Sequence, residues 1–439
     1  MLPRRKTARL APVLLAALAF PSVAWGAEAS LDARVDQEAA KVSAQLVEVR
    51  HRLHQNPELS NREEQTAKLV ADSLRSLGLE PRTGIGKYGV VALLQGGKPG
   101  PLIAVRADMD ALPVVEQTDL PFASKKKDTF QGQEVGVAHA CGHDVHTSVL
   151  LGTAMVLTAM KKDLPGSVLF IFQPAEEGPP AGERGGAELM LAEGAFSQGK
   201  PAAVFALHSF PDLTVGQVGF NPGPTMAAVD QFRITIKGKQ SHGAYPHLAV
   251  DPVVMAAEVI TAFQTIRSRN VPALEPSVLT VGIVRGGERF NIIPGEVHLE
   301  GTVRTYKAEV QDLVERRMRE ILDGVTRANG GSFDMEYQRN APATVNDPEL
   351  ARRVRPLLER IAGAENVKIV EPSMAGEDFA YFANQAPGFF YRLGVVAPGT
   401  TSGGLHTPTF RADDSAVPAG IRIMSRLLVD YLSENHSSR

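Results

Sequence analysis

The sequence predicts an α/β fold in which helices flank a mostly parallel sheet, with a smaller ferredoxin-like α+β domain inserted into it. Apolar runs of strand length alternate with helical patterns between about residues 89 and 207, as expected for a parallel sheet. Between about residues 225 and 339 the order becomes strand-helix-strand-strand-helix-strand. With 439 residues, the chain is too long for one hydrophobic core, so we expect two domains.

The N-terminus has the pattern of a secretory signal peptide. Arg4, Arg5, Lys6 and Arg9 precede an apolar run at 10–20, and small residues follow at 24, 26 and 27. The apolar run is shorter than the about 20 residues that span a bilayer, so we expect cleavage and no stable membrane insertion. The preferred cleavage site follows residues 24–26, with residues 27–29 as the second choice. The pattern therefore predicts a signal peptide over 1–26 and an exported protein, periplasmic or secreted.

Composition argues against several classes of partner and scaffold. Removal of residues 1–26 takes away four basic and no acidic side chains, so the net charge changes from −3 to −7. A negative charge disfavours nucleic acid and anionic membrane surfaces as partners. Cys141 is the only cysteine, so an internal disulfide is excluded. A lone thiol in an oxidising compartment is a liability unless it is occupied, and a bound metal would occupy it.

Residues 27–224 are predicted to form the first part of the larger domain. Helical patterns at 31–53 and 63–77 end at Asn56-Pro57 and at Gly78. Strand patterns follow at 89–94, 102–106, 168–172 and 203–207, and a helix begins near Val145. Ligands of such sheets gather beyond the carboxyl ends of the strands, so the residues that follow each strand are candidates for a site.

Residues 225–339 are predicted to form the inserted domain. Its strands are expected at 231–237, 277–284, 296–305 and 332–339. Its two helices are expected after Asp251, which can cap a helix that starts with Pro252, and at 307–328. Residues 340–439 resume the larger domain, with helices at 349–361 and 377–383, a strand at 388–393 and a terminal helix from about 413.

Residues that bind first-row metals follow several of these strands. Cys141 and His143 stand two residues apart in a loop that leads into a helix. A zinc-type site needs three or four protein ligands, so others must come from elsewhere in the chain. The candidates, all expected at strand-to-loop junctions or in loops, are Glu176, Glu177, His208 and His406. Five other histidines are expected to be ordinary surface or core residues: His51, His54, His247, His298 and His436.

Six motifs in one order carry a family resemblance. They are RADMDALP at 106–113, HACGHDVH at 139–146, QPAEEG at 173–178, ALH at 206–208, SHG at 241–243 and LHTP at 405–408. Together they resemble the metal-dependent amidohydrolases of the hippurate hydrolase, N-acyl-amino-acid hydrolase and auxin-conjugate hydrolase group, within the aminoacylase/carboxypeptidase family. The resemblance covers about residues 31–435. It implies a binuclear metal site in a peptidase-like α/β domain, with the inserted domain as lid and often as dimerisation surface.

The resemblance also implies roles for individual residues. Two divalent ions per chain, with manganese and zinc as the leading candidates, would be bound by Cys141, His143, Glu177, His208 and His406. Glu176 resembles the general base. His242 resembles the lid histidine that polarises the scissile carbonyl, often from the neighbouring subunit. The residues that resemble the substrate-binding positions are Asn291, Arg304 and Gly376.

The chain departs from the wider family at Asp108-Met109-Asp110. Many members have His-x-Asp there, whereas the hippurate-type subgroup shares this pattern and has the Cys141 loop instead. We therefore do not assign Asp108 as a ligand. Asp110 is expected to orient a ligand from outside the metal site.

These residue types are suited to hydrolysis of an amide bond. Metal ions can activate a water, Glu176 can transfer its proton, and Arg304 offers a planar fork to a substrate carboxylate. The predicted function is cleavage of hippurate-like N-acyl amino acids by an exported homodimer. A metallocarboxypeptidase acting on short peptides is the alternative within this class. A thiol hydrolase with Cys141 as nucleophile, and a non-catalytic metal-binding protein, are the alternatives outside it.

Overall fold

The computed structural model describes residues 30–437, and the predicted signal peptide lies outside them. Within this range, helices α1 to α9 are Leu31–Gln55, Glu64–Ser76, His143–Ala159, Gly186–Ala192, Pro252–Thr265, Ala308–Ala328, Pro348–Ala362, Ala380–Ala383 and Ala416–Ser437. Strands β1 to β18 are Arg82–Ile85, Gly89–Gln95, Lys98–Asp108, Lys127–Phe130, Gln133–Gly136, Pro165–Gln173, Val204–Thr214, Val218–Phe220, Gly223–Met226, Ala228–Lys237, Ser241–His242, Ser277–Arg285, Ile292–Ile293, Glu296–Thr305, Ser332–Ala341, Thr344–Asn346, Val367–Ile369 and Gly388–Val396.

The larger sheet has eight strands in the order β1-β2-β6-β3-β7-β18-β8-β17. Its four central strands, β6, β3, β7 and β18, run parallel, while β2 and β8 pair antiparallel at either side. Apolar side chains of the central strands alternate between two cores, as in β6, where Phe170 faces one core and Leu169 and Ile171 face the other. Helices α1, α3 and α9 belong to the first core, and α4 and α8 to the second. This confirms the predicted α/β class.

The smaller sheet has the order β12-β14-β10-β15 and is antiparallel throughout. With α5 and α6, the chain order β10-α5-β12-β14-α6-β15 is that of the predicted ferredoxin-like unit. Phe232, Ile234 and Ile236 of β10 are buried in its core, whereas Arg233 and Lys237 are exposed on the other face. We call residues 228–341 the lid.

Two local expectations differ from the structure. His208 was expected at a strand-to-loop junction, but β7 continues to Thr214 because its pairing with β18 extends past that residue. A helix was expected from residue 377, but α8 begins only at Ala380. Glu377 stands outside the helix because its carboxylate accepts a hydrogen bond from the Phe379 N–H at 2.8 Å and pairs with Arg106.

None of the helices within residues 30–437 is long and apolar enough to cross a membrane.

Candidate metal centre

The predicted ligands approach one another at the end of the parallel strands. His143 is the first residue of α3, and Cys141 lies two residues before it. Between them Gly142 has a φ of +87°, and a Cβ there would lie 2.7 Å from the Cβ of Ser209. Glycine is therefore required, because the chain must turn and pass close to the end of β7.

Each of the five predicted ligand residues lies close to at least two of the others. Cys141 Sγ is 3.3 Å from the Nε2 atoms of both His208 and His406. Oε1 of Glu177 is 3.1 Å from Nε2 of His406 and 3.9 Å from Nε2 of His143. Ligand atoms bound to one metal at about 2.0–2.3 Å are themselves about 3–4 Å apart. The structure thus brings together all five residues in an arrangement that fits a metal centre.

Several potential metal-binding atoms in this group make no regular hydrogen bond within residues 30–437. Both ring nitrogens of His143 and Oε1 of Glu177 are buried without a hydrogen bond of regular geometry to any described residue. Buried polar atoms without a partner are costly, and a cation would satisfy them. A thiol, imidazoles and a carboxylate together suit divalent metals of zinc or manganese type better than calcium or magnesium.

The electrostatics of the centre also favour a cation. Burial opposes protonation of His143, yet the surrounding carboxylates, first Asp108 and then Asp110, raise its pKa to about 10. Burial raises the pKa of the Cys141 thiol well above its usual value, and Glu177 and neighbouring carboxylates add to this effect. The thiolate is the form that binds metal, and a nearby cation would oppose these effects and favour it.

Asp110 contacts two of the ligand residues. Its Oδ1 is 3.3 Å from Nδ1 of His143, on the side of the ring away from Glu177. Its Oδ2 accepts hydrogen bonds from the Glu177 N–H at 3.0 Å and from the Ser60 hydroxyl at 2.7 Å. This position is the one expected of a residue that orients ligands.

His146, the third histidine of the loop, is fully occupied by the protein. Its Nδ1 is 2.5 Å from Oδ1 of Asp108, and its Nε2 accepts a hydrogen bond from the Ser209 N–H at 2.7 Å. The other oxygen of Asp108 accepts a hydrogen bond from Arg106 at 2.8 Å. His146 lies near His143, but both of its ring nitrogens already have protein partners. The contact with Ser209 connects His146 to the residue that follows His208.

Glu176 lies beside an acidic group that sequence reasoning missed. One of its oxygens is 3.9 Å from Nε2 of His143, and carboxylate oxygens of Glu176, Glu377 and Asp378 lie within 4.8 Å of one another. Arg106 pairs with Glu377 and with Asp378 at 3.0 Å each. Burial raises the pKa of Glu176 well above its usual value, and the nearby carboxylates raise it further.

Two of the predicted lid residues are separate from this centre. His242 is exposed on β11 and belongs to none of the potential ligand groups within residues 30–437. Its Nδ1 accepts a hydrogen bond from the Ala244 N–H at 3.0 Å. Asn291 is half-buried, and its Oδ1 is buried without a hydrogen-bond partner among the described residues.

Arg304 and Gly376 lie close together where the lid meets the larger domain. Arg304 is half-buried, burial lowers its pKa, and within residues 30–437 its guanidinium has no hydrogen bond or ion pair. A Cβ on Gly376 would lie 3.4 Å from Nη1 of Arg304 and only 2.2 Å from Cγ2 of Val229. Glycine at 376 therefore allows the lid to approach the larger domain beside an unpaired cation.

The sequence and the fold are both similar to known metal-dependent hydrolases. Residues 104–430 match Peptidase family M20/M25/M40. The chain is 40% identical to N-acetyl-L-cysteine deacetylase of Bacillus subtilis over 90% of each protein. It is 36% identical to thermostable carboxypeptidase 2 of Saccharolobus solfataricus, over 82% of this chain and 88% of the relative.

A solved structure supports the same relationship. The YXEP protein of Bacillus subtilis, described as a dinuclear metal binding peptidase of the M20 family, has a TM-score of 0.76 and 35% identity. The similarity covers 90% of this chain and 99% of that one. The chain is therefore a metal-dependent hydrolase of amide bonds that belongs to Peptidase family M20/M25/M40.

Proposed function

We propose that this protein is an exported amidohydrolase that cleaves N-acyl amino acids to a carboxylic acid and a free amino acid. The observation that carries the proposal is the convergence of Cys141, His143, Glu177, His208 and His406 beside the buried carboxyl group of Glu176. Similarity to an N-acetyl-L-cysteine deacetylase supports a deacylase. Similarity to a carboxypeptidase favours short peptides as the second candidate substrate.

The residues of the centre divide the work of amide hydrolysis. Two divalent ions, manganese or zinc, when bound by the five ligand residues, would supply an activated water and polarise the scissile carbonyl. Glu176 accepts the proton of the attacking water and then delivers it to the leaving nitrogen, so that the carboxylate is regenerated. Asp110 keeps the His143 ring and the Glu177 backbone in place during this exchange.

Arg304 provides the basis for substrate selection. An unpaired, half-buried guanidinium is a strong site for a carboxylate, because it can donate two parallel hydrogen bonds. In this proposal Arg304 binds the α-carboxylate of the substrate, and Asn291 contributes a further polar contact. Gly376 lines the cleft at the same point.

His242 requires a second copy of the chain in this proposal. It is exposed, and the residues around its strand include exposed apolar side chains such as Tyr245, Leu248 and Phe290, the last of them 97% exposed. Exposed apolar side chains in such numbers are typical of an interaction surface. A homodimer formed through the lid would cover them and place His242 in the partner's centre, where an imidazole N–H can stabilise the developing oxyanion.

Glu176 and Glu177, neighbours in sequence, provide the test. Glu176→Gln should keep the metal content near that of the native protein while turnover of benzoyl-glycine falls about 10²–10⁴-fold or more, because the proton acceptor is lost. Glu177→Gln should weaken one metal site, because a neutral amide oxygen is a poorer ligand than a carboxylate. Added metal should restore part of the activity of the second variant only.

The native protein is assayed first against matched N-acyl amino acids and short peptides, with metal content measured in parallel. Faster hydrolysis of peptides would favour the carboxypeptidase. Active protein with less than one ion per chain, or activity that survives complete chelation, would refute the metal mechanism. If Glu176→Gln loses metal while Glu177→Gln keeps it, the two roles are exchanged.

A further inference from the structure

Glu63 is a buried carboxylate to which none of the roles above applies. It lies just before α2 and is 0% exposed. It contacts Ala175, which is 112 residues away in sequence, in the loop after β6. Its Oε1 accepts hydrogen bonds from the N–H groups of Asn61 at 2.9 Å and Ala175 at 2.8 Å. Its Oε2 is buried without a hydrogen-bond partner among the described residues.

The contact with Ala175 matters because of the backbone at that residue. Ala175 has a φ of +54°, a left-handed conformation that is unfavourable for a residue with a Cβ, and it is almost completely buried. It directly precedes Glu176 and Glu177, whose side chains reach different groups: the former approaches Glu377 and the latter His406. The turn at Ala175 thus sets the directions in which the two carboxylates point.

Capping of α2 does not account for Glu63. Although it occupies the position before the helix, its side chain caps none of the helix N–H groups. Glu58 does this instead, because its two oxygens accept hydrogen bonds from Gln65 at 3.1 Å and Thr66 at 2.8 Å. The same segment therefore carries two buried carboxylates with separate tasks, one for the helix and one for the loop.

We infer that Glu63 is a positioning residue for the metal centre: it holds Ala175 in the left-handed conformation and thereby directs Glu176 and Glu177. Asp110 holds the other end of this turn through the N–H of Glu177 at 3.0 Å. The inference rests on the proposed function, because Glu176 and Glu177 have their roles only there. It adds a residue that no motif of the sequence singles out.

The first experiment compares Glu63→Ala with its matched control Glu58→Ala in the full chain. Loss of the Glu63 carboxyl group should lower the affinity for zinc or manganese about 10–100-fold. It should lower kcat by a similar factor, with KM nearly unchanged. Glu58→Ala should lower the melting temperature but leave metal affinity and kcat at the native values. Glu63→Gln, which retains an acceptor oxygen, should recover most of the metal affinity.

If Glu63→Ala does not fold, Glu63→Asp takes its place. It keeps a carboxyl group but withdraws it by one methylene, so metal affinity should fall at least about threefold. Native metal affinity in folded Glu63→Ala, or in Glu63→Asp where Glu63→Ala does not fold, would overturn the inference. A loss of metal affinity as large in Glu58→Ala would overturn it too, because the effect would then come from the segment as a whole.

A double-mutant cycle with Ala175→Gly tests the coupling itself. Glycine adopts a positive φ without help, so the loss caused by Glu63→Ala should be several-fold smaller when residue 175 is glycine. Equal losses in both backgrounds would show that Glu63 does not act through this turn. Metal titration needs no substrate, so the two proposals can fail separately. A native protein that binds metal but cleaves no N-acyl amino acid would refute the proposed function, and the effect of Glu63 on metal affinity could still be measured.

Discussion

His54 allows a quantitative test of the charged network behind the metal-binding loop. The side chain is buried between two carboxylates, with Nδ1 2.9 Å from Asp144 and Nε2 3.1 Å from Glu116. Burial alone would lower its pKa, but Asp144 and Glu116 outweigh that effect and raise the pKa to about 9. The perturbation is a change of pH, applied to the native protein and to His54→Gln.

The sign and size of the effect follow from this shift. An unfolded histidine has a pKa of about 6.5, so the folded state binds a proton more tightly than the unfolded state. The resulting stabilisation is fully present below about pH 6.5 and is lost as the pH rises through about 9. At about 1.4 kcal/mol for each pKa unit, the loss is on the order of 3 kcal/mol.

Urea unfolding at several pH values between 6 and 9.5 measures this loss, with chelator present so that metal binding does not contribute. The free energy of unfolding should fall more steeply with pH in the native protein than in His54→Gln. His298→Gln is the matched control, because His298 also pairs with a glutamate, Glu296, but at an exposed position. Parallel pH dependences for the native protein and His54→Gln would refute the reasoning.

Two further predictions concern the junction between the lid and the larger domain. Arg304→Ala should raise KM for substrates with a free α-carboxylate and leave amide-capped analogues unaffected, as steady-state kinetics on matched pairs would show. Equal hydrolysis of both substrates by the native protein would contradict this role. Gly376→Ala should lower kcat/KM because its Cβ would approach Cγ2 of Val229 to 2.2 Å. Val229→Ala in the same chain should restore most of the loss, and a lack of rescue would rule out this contact as the cause.

The fold could be predicted from local patterns because its strands and helices differ in periodicity. The central strands are buried on both faces and appear as continuous apolar runs, as at 168–172 inside β6. The proximity of the candidate ligands was predictable for a related reason: residues that follow parallel strands meet at one edge of the sheet. The location of His208 inside β7 was missed, because the pairing that prolongs β7 involves β18, far along the chain.

The supporting contacts could not be predicted, because they join residues that are distant in sequence. Arg106 and Glu377 are separated by 271 positions and form an ion pair of 3.0 Å. No periodicity or motif in either segment indicates the other. Glu63 and Ala175 are a similar case, since neither residue type is unusual where it stands and only the tertiary fold brings them together.

Backbone strain shows how these distant contacts serve the centre. Positive φ angles occur at five non-glycine residues within the described chain: Asn61, Lys87, Gln131, Ala175 and His406. Lys87 and Gln131 lie in tight turns between paired strands, where such angles are part of the turn. The other three form or brace the ligand loops, and each is held from elsewhere. Glu63 accepts the N–H groups of Asn61 and Ala175, while the Ala140 carbonyl accepts that of His406 at 2.8 Å.

Residues in such conformations persist only where their surroundings hold them, and they concentrate at functional sites. At this centre two of the bracing hydrogen bonds cross between separate segments of the fold: from Glu63 to the loop after β6, and from the Cys141 loop to the His406 loop. The geometry of the ligands is therefore set by tertiary structure. For this reason the sequence alone can propose Glu177 and His406 as ligands, but it cannot reveal which distant residues hold them in position.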